Sequence, residues 1–156
     1  MPNDPIMPSD LNYQQTLLVP RLLWGSLLTS QIVYVFVAHV AITGPAHDGG
    51  LAALPFVAAI CLTAAIIIPR MMARQMLKTT LSADLTIATV PVPQLVTTMF
   101  TPLLVRFAMI EVVGVLGMVS AMTSGDSAKV YPFAAAAVVA MLINFPSEGK
   151  LRDLGR

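Results

Sequence analysis

The segment RFAMIEVVGVLGMVSAM, from Arg106 to Met122, is an apolar run that contains one carboxylate, Glu111. A membrane-spanning helix needs roughly 20 predominantly apolar residues, and this run reaches that length when it is extended back to Pro102. The rest of the chain is equally apolar, because its 156 residues are 56% hydrophobic and 11% charged. Soluble domains usually carry about 25% charged residues. The composition therefore predicts an all-α integral membrane protein.

Four apolar segments define a predicted transmembrane domain, residues 21–145. Short loops rich in turn-forming residues follow the first and third segments, so we expect four transmembrane helices arranged as two antiparallel hairpins. Pro102 is expected in the first turn of the third helix, where its missing N–H costs nothing. The predicted helices span residues 21–42, 51–68, 102–122 and 130–145.

A longer connection, residues 69–101, separates the two predicted hairpins and carries positive charge. Arg70, Arg74 and Lys78 are four residues apart, so on a helix they form one basic stripe. The pattern favours either a continuation of the second helix beyond the bilayer or an amphipathic helix on its surface. The stripe is suited to anionic lipid head groups or to a partner. Arg106 is close enough to the start of its helix to reach the same interface.

The placement of lysine and arginine predicts the orientation of the chain. Cytoplasmic loops carry an excess of these residues, and the side opposite to the basic stripe holds only Lys129. Residues 1–20, the connection and the tail, residues 146–156, are therefore expected in the cytoplasm, together with both termini. The N-terminal segment has no basic leader region, so we expect it to be kept. The other basic residues on the predicted inner side are Arg21, Lys150, Arg152 and Arg156.

Glu111 is the strongest candidate for a functional residue. Counted from Pro102, it lies about 13 Å along the helix, near the middle of a roughly 30 Å hydrocarbon core. A charged carboxylate there costs about 2.5–3.5 kcal/mol on insertion scales, which favours a protonated side chain. Two interpretations stay open: a titrating group on a proton or ion pathway, and a neutral group hydrogen-bonded between helices. Gln31 lies at a similar depth on the first helix, and either Ser30 or Gln31 is the expected hydrogen-bond partner of Glu111.

Small residues on the same helix predict close contact with a neighbouring helix. Gly114 and Gly117 follow Glu111 at intervals of three, and Ala108 and Ala121 flank them. Residues of this size let helix backbones approach closely within a membrane. Arg106 is about 140° from Glu111 around the helix, so the two could pair only through a neighbouring helix.

The sequence gives little support for a disulfide, a metal site or an enzyme active site. The single cysteine, Cys61, excludes an internal disulfide. His39, His47 and Asp48 lie near one predicted interface, where simple solvation is the stronger interpretation than a metal site. Nucleotide-binding glycine loops and nucleophile elbows are missing from the sequence, and the net charge is only +1. We therefore predict no enzyme activity, cofactor, metal or nucleic-acid partner.

Two resemblances rest on short motifs. The stretch RFAMIEVVGVLGMV resembles the carboxylate helix of rotary ATPase proteolipids, the c or K subunits, which implies an ion-carrying role for Glu111. Residues 103–154, with RFAMIE, a following glycine and the closing FPSEGKLRDL, resemble small uncharacterised bacterial four-helix membrane proteins. That second resemblance implies a multi-pass protein of the bacterial inner membrane and implies no activity.

The sequence leaves two functions open. The first is a non-enzymatic small membrane protein that lies in the lipid bilayer and packs with itself, or serves as an accessory or structural subunit of a larger membrane complex. The second is a proton- or cation-translocating subunit with Glu111 as the titrating carboxylate.

Overall fold

The computed structural model describes residues 9–42, 53–80 and 92–155. These residues form five α-helices and one short 3₁₀ turn, with no strand among them. Helices α1, α2 and α3 are long and apolar enough to cross a membrane, which confirms the coarse prediction of an all-helical, multi-pass membrane protein. The helices are α1 (Ser9–Ala41), α2 (Leu54–Thr80), α3 (Val92–Ser124), α4 (Val130–Ile143) and α5 (Glu148–Gly155).

The long helices extend beyond their predicted boundaries because each accommodates an internal proline. Helix α1 begins at Ser9 and contains Pro20, while α3 begins at Val92 and contains Pro102. The placement of Pro102 in the first turn of its helix was therefore wrong. An internal proline removes one backbone hydrogen bond, and membrane helices tolerate this where neighbouring groups satisfy the freed carbonyl.

Helix α2 continues past Pro69 as far as Thr80. The basic stripe therefore lies on the same helix as the second apolar segment. This agrees with the predicted alternative in which the second helix continues through the stripe. Arg70, Arg74 and Lys78 are all exposed. The remainder of the predicted connection, residues 81–91, and most of the first loop, residues 43–52, lie outside the described residues.

Helix α3 lies at the centre of the bundle and packs against α1, α2 and α4. Ser30 of α1 meets Glu111 of α3, and further along both helices Ala38 packs with Ala121, so α1 and α3 run parallel. Within the described ranges, α1 and α2 pack mainly on α3 rather than on one another. The predicted pairing of the first two helices as a hairpin is therefore not confirmed.

A tight turn reverses the chain between α3 and α4. Gly125 adopts a φ of 66°, a left-handed conformation that glycine enters without steric cost. The carboxylate of Asp126 then accepts a hydrogen bond from the N–H of Ala128 at 2.9 Å. These two residues let α4 return along α3, against which it packs.

Helix α4 is too short to be a regular span on its own. Its 14 residues cover about 21 Å, compared with a hydrocarbon core of roughly 30 Å. The axis of α5 then turns away by 99°. The predicted fourth transmembrane helix, residues 130–145, is therefore not confirmed as a span.

The predicted tail contains a packed helix, α5. Ser147 begins it, because its carbonyl accepts the N–H of Leu151 at 3.0 Å. Glu148 and Arg152 form an ion pair of 2.7 Å across one turn. Leu151 and Leu154 are each only 1% exposed, so this amphipathic helix packs its leucines inward and closes one end of the bundle.

The outer surface of the bundle is strongly apolar. Large side chains there have exposed fractions of 73% for Phe56, 69% for Ile32 and 65% for Phe36. Monomeric soluble proteins rarely expose contiguous apolar surface on this scale. The surface instead suits contact with lipid tails.

Candidate functional site

Three side chains of α1 donate hydrogen bonds to Glu111 of α3. The hydroxyls of Ser30 and Tyr34 donate to Oε1 at 2.5 and 2.6 Å, and the Gln31 amide nitrogen Nε2 donates to Oε2 at 2.7 Å. The sequence left the partner open between Ser30 and Gln31, and the structure brings both to Glu111. We call Ser30, Gln31, Tyr34 and Glu111 the Glu111 cluster.

Helical spacing places the three donors on one face of α1. Tyr34 is four residues after Ser30 and three after Gln31, and both intervals bring side chains to the same helix face. Gln31 is buried, whereas Glu111 is only partly covered. The sequence interpretation missed Tyr34, although its spacing from the two expected partners was the signal that could have found it.

The Ser30 hydroxyl lies between two acceptors. It is 2.6 Å from the carbonyl oxygen of Leu27 and 2.5 Å from Oε1 of Glu111, but a hydroxyl has only one proton to donate. When Ser30 donates to Leu27, a proton on Glu111 completes the second contact. When Ser30 donates to Glu111, the carboxylate can be ionised, so the geometry suits both forms of Glu111.

Gly114 makes the room that Gln31 needs. A Cβ atom at this position would lie 1.9 Å from Oε1 of Gln31, far inside van der Waals contact. In the part of the chain that is described, this Oε1 is buried without a hydrogen-bond partner. Gly114 therefore lets Gln31 reach Glu111, which is a more specific role than general helix packing.

The other predicted packing residues divide into two groups. A Cβ atom at Gly117 would lie 2.6 Å from Cβ of Phe133 and 3.3 Å from the Val130 carbonyl oxygen, so Gly117 allows α4 to approach α3. Ala121 is fully buried. Ala108 is exposed on the outward side of α3, so it does not pack against another helix of this chain, and its role in helix packing stays a prediction.

Arg106 is buried inside the bundle, with only 7% of its surface exposed. Its Nε donates to the Ala65 carbonyl of α2 at 3.3 Å, and Nη1 donates to Oδ1 of Asn144 at 2.9 Å. Pro69 is four residues after Ala65 and has no N–H to offer that carbonyl, so Arg106 supplies the missing donor. Arg106 was expected to snorkel to the interface, and the structure instead holds its side chain between α2, α3 and the end of α4 and does not bring it together with Glu111.

The weak hypothesis of a metal site at His39, His47 and Asp48 cannot be tested, because the structure describes only His39. His39 is exposed at the end of α1, while His47 and Asp48 lie outside the described residues. Among residues 9–42, 53–80 and 92–155, no group of three potential ligands from histidine, cysteine, aspartate and glutamate comes together.

We expect Trp24→Phe to lower the free energy of unfolding by about 1 kcal/mol, the typical net value of one hydrogen bond. The Trp24 Nε1 donates to the Met141 carbonyl at 2.8 Å, and its ring packs edge-on against Phe145 with centroids 5.0 Å apart. Phenylalanine keeps the ring contact and loses the donor. Thermal unfolding in detergent measures the change, with Tyr131→Phe on the exposed surface as the control. Equal stability of both variants would contradict the assigned hydrogen bond.

The two polar sites support different chemistry. A carboxylate between two hydroxyls can hold a proton or pass it between oxygen atoms, whereas a buried guanidinium binds oxygen atoms and anions. Both sites join helices that are distant in sequence, since the Glu111 cluster links α1 to α3 and Arg106 links α3 to α2 and the end of α4. Comparison with protein-family models, with curated proteins and with solved structures finds no match to this chain.

Proposed function

We propose that the chain is a non-enzymatic membrane protein that packs with copies of itself or serves as an accessory, structural subunit of a larger membrane complex. The partly covered Glu111 carries this proposal. It lies about 20 Å from the end of α3 at Ser124, well inside the apolar span. Contact with lipid is unfavourable for a carboxylate. The exposed part of the Glu111 side chain is therefore better placed against a second protein surface than against lipid.

The surface beside Glu111 suits the approach of another helix. Ser26 lies one turn before Ser30, and Ala108 lies about one turn before Glu111, and both are small and exposed. Small residues at matching levels on two adjacent helices form a shallow groove in which a third helix can pack closely. We call Ser26, Ala108 and Glu111 the outward groove.

The proposed topology has four spans, with both termini in the cytoplasm of a bacterial cell and the chain in the inner membrane. Lys150 and Arg70 lie at the end of the bundle that α5 closes, whereas Lys129 lies in the turn at the opposite end. The positive-inside rule then assigns the α5 end to the cytoplasm. In this arrangement α4 is a short fourth span and α5 lies along the interface.

The proposal is tested by paired substitutions in the full chain, purified in mild detergent. Glu111→Gln is expected to keep assembly, because glutamine still accepts hydrogen bonds. Glu111→Leu leaves the Gln31 amide and the Tyr34 hydroxyl without their acceptor, so it should weaken assembly and lower the free energy of unfolding by about 2 kcal/mol. Light scattering gives the particle mass, to be compared with 16.6 kDa for one chain.

Ala108→Leu separates assembly from folding. Ala108 is exposed, so leucine there should leave the unfolding transition of the single chain unchanged while it blocks the outward groove. A wild-type particle containing only one chain and no other protein would contradict the proposal. An assembly that tolerates Ala108→Leu would remove the outward groove as the contact surface.

A second candidate function is proton or cation translocation, with Glu111 as the titrating group. The Ser30 hydroxyl between two acceptors favours it, because that geometry accommodates a proton on Glu111. Proteoliposomes containing the chain should then carry a proton or cation flux that Glu111→Gln abolishes while assembly is kept. A hydrophobic carbodiimide should modify Glu111 and stop the flux. Unchanged flux in the Glu111→Gln variant would contradict this function.

A further inference from the structure

A polar cleft of about 220 Å³ opens at the α5 end of the bundle. Three cationic residues from three helices contribute to its lining: Arg70 from α2, Arg106 from α3 and Lys150 from α5. Helix α5 brings Lys150 into this position because its axis turns 99° from that of α4. The other lining residues are Ile66, Ile143, Asn144, Asp153 and Leu154.

The charges of the cleft are unbalanced. Asp153 is the only carboxylate in a lining that holds three cations. Within the described ranges, Arg70, Arg106 and Lys150 form no ion pair. Charges are costly to bury unless an opposite charge compensates them, and Arg106 is only 7% exposed. The cleft therefore has the electrostatic character of an anion site.

Arg106 is also held in place for such a ligand. A guanidinium has five N–H donors, and two of the Arg106 nitrogens donate to Ala65 and Asn144. These two bonds hold the side chain in the lining of the cleft. The remaining N–H donors of the guanidinium are available to a ligand. The planar guanidinium of an arginine can donate two parallel N–H···O hydrogen bonds to two oxygen atoms of one phosphate group.

We propose that this cleft binds a phosphate group, carried either by an anionic phospholipid head group or by free phosphate. Lipid chemistry is supported by the cleft's apolar rim, since Ile66 and Ile143 are 51% and 60% exposed and can contact acyl chains. Free phosphate would bind to the same three cationic side chains and would make no contact with the apolar rim. The proposal is independent of the Glu111 cluster, which shares no residue with the cleft.

The cleft differs from the basic stripe predicted on α2. Only Arg70 belongs to both, because Arg74 and Lys78 do not line the cleft. A diffuse stripe would attract any anionic surface in proportion to its charge. Binding in the cleft depends instead on the particular residues that line it. One of them is Lys150, which is distant from the stripe in sequence.

Native mass spectrometry of the full chain in mild detergent tests the proposal with two probes, short-chain phosphatidylglycerol and inorganic phosphate. Arg70→Gln and Lys150→Gln are each expected to weaken binding about fivefold. Both residues are exposed, so their loss should leave folding intact, which makes them better test sites than the buried Arg106. Lys78→Gln removes the same charge outside the cleft and is expected to leave binding unchanged.

The probes also identify the source of the phosphate. Binding of phosphatidylglycerol that inorganic phosphate cannot displace, and that neutral phosphatidylcholine does not reproduce, assigns the cleft to a lipid head group. Binding of inorganic phosphate alone, with the same dependence on Arg70 and Lys150, assigns it to a free anion. If neither probe binds, or if Lys78→Gln weakens binding as much as Lys150→Gln does, the proposal is overturned.

Discussion

Replacing Gly117 with alanine is expected to lower the free energy of unfolding by about 3 kcal/mol, the upper part of the usual range for an overpacked interior. The new methyl carbon would lie 2.6 Å from Cβ of Phe133 and 3.3 Å from the Val130 carbonyl oxygen. Neither atom can move by a side-chain rotation, because both positions are set by the backbone of α4. Helix α4 must therefore shift away from α3. Thermal unfolding of the purified chain measures the loss.

Gly25→Ala is the matched control for this substitution. Gly25 also lies inside a long helix, α1, but an added Cβ there would meet no heavy atom within 4 Å. Alanine is preferred to glycine in a helix interior by about 1 kcal/mol, so this variant should be as stable as the parent chain or more stable. If both variants lose the same stability, the close contact between α3 and α4 is not the cause.

Gly114→Ala is expected to lower the free energy of unfolding by about 2 kcal/mol, less than Gly117→Ala, because the flexible end of the Gln31 side chain can move away and the main loss is a hydrogen bond. The added carbon would lie 1.9 Å from Oε1 and 2.7 Å from Cδ of Gln31, so it displaces the amide. The displaced amide then loses its 2.7 Å hydrogen bond to Glu111. Overpacking and a broken hydrogen bond thus occur together, and thermal unfolding in detergent again gives the total.

A double-mutant cycle with Gln31→Ala tests whether both mechanisms act through the Gln31 side chain. Gln31→Ala removes all three atoms closest to the added Cβ, which are Oε1, Cδ and Nε2 of Gln31. In that background Gly114→Ala should cost less than half of what it costs in the parent chain. Residues in direct contact typically couple by about 0.5–3 kcal/mol. Additive losses would show that Gly114 acts through a contact other than Gln31.

The partners of Glu111 could be predicted even though the helix boundaries could not. The depth of Gln31 was counted from Arg21 and that of Glu111 from Pro102, whereas the helices begin at Ser9 and Val92. Both counts start ten or more residues after the helix begins, and because α1 and α3 run parallel these offsets largely cancel when the two positions are compared. The two residues were therefore correctly placed level with each other.

The position of Arg106 could not be read from its own helix. Its burial depends on the Ala65 carbonyl, which is free because Pro69 has no N–H, and on Asn144 at the end of α4. These groups come from three different parts of the chain, and only tertiary packing brings them to one level. The outward position of Ala108 could not be predicted for a related reason: spacing along α3 shows which residues share a face but not which neighbour that face meets.

The unpartnered oxygen of Gln31 has a consequence for the chemistry of the Glu111 cluster. An amide presents a donor at one end and an acceptor at the other, and rotation by half a turn about its last bond exchanges them. With Nε2 toward Glu111, as here, Gln31 complements a carboxylate oxygen that accepts. With Oε1 in that place, it would complement a carboxylic acid that donates. Since hydroxyls can also donate or accept, each partner of Glu111 can form a hydrogen bond with either the carboxylate or the carboxylic acid, and the cluster can join α1 to α3 in both states.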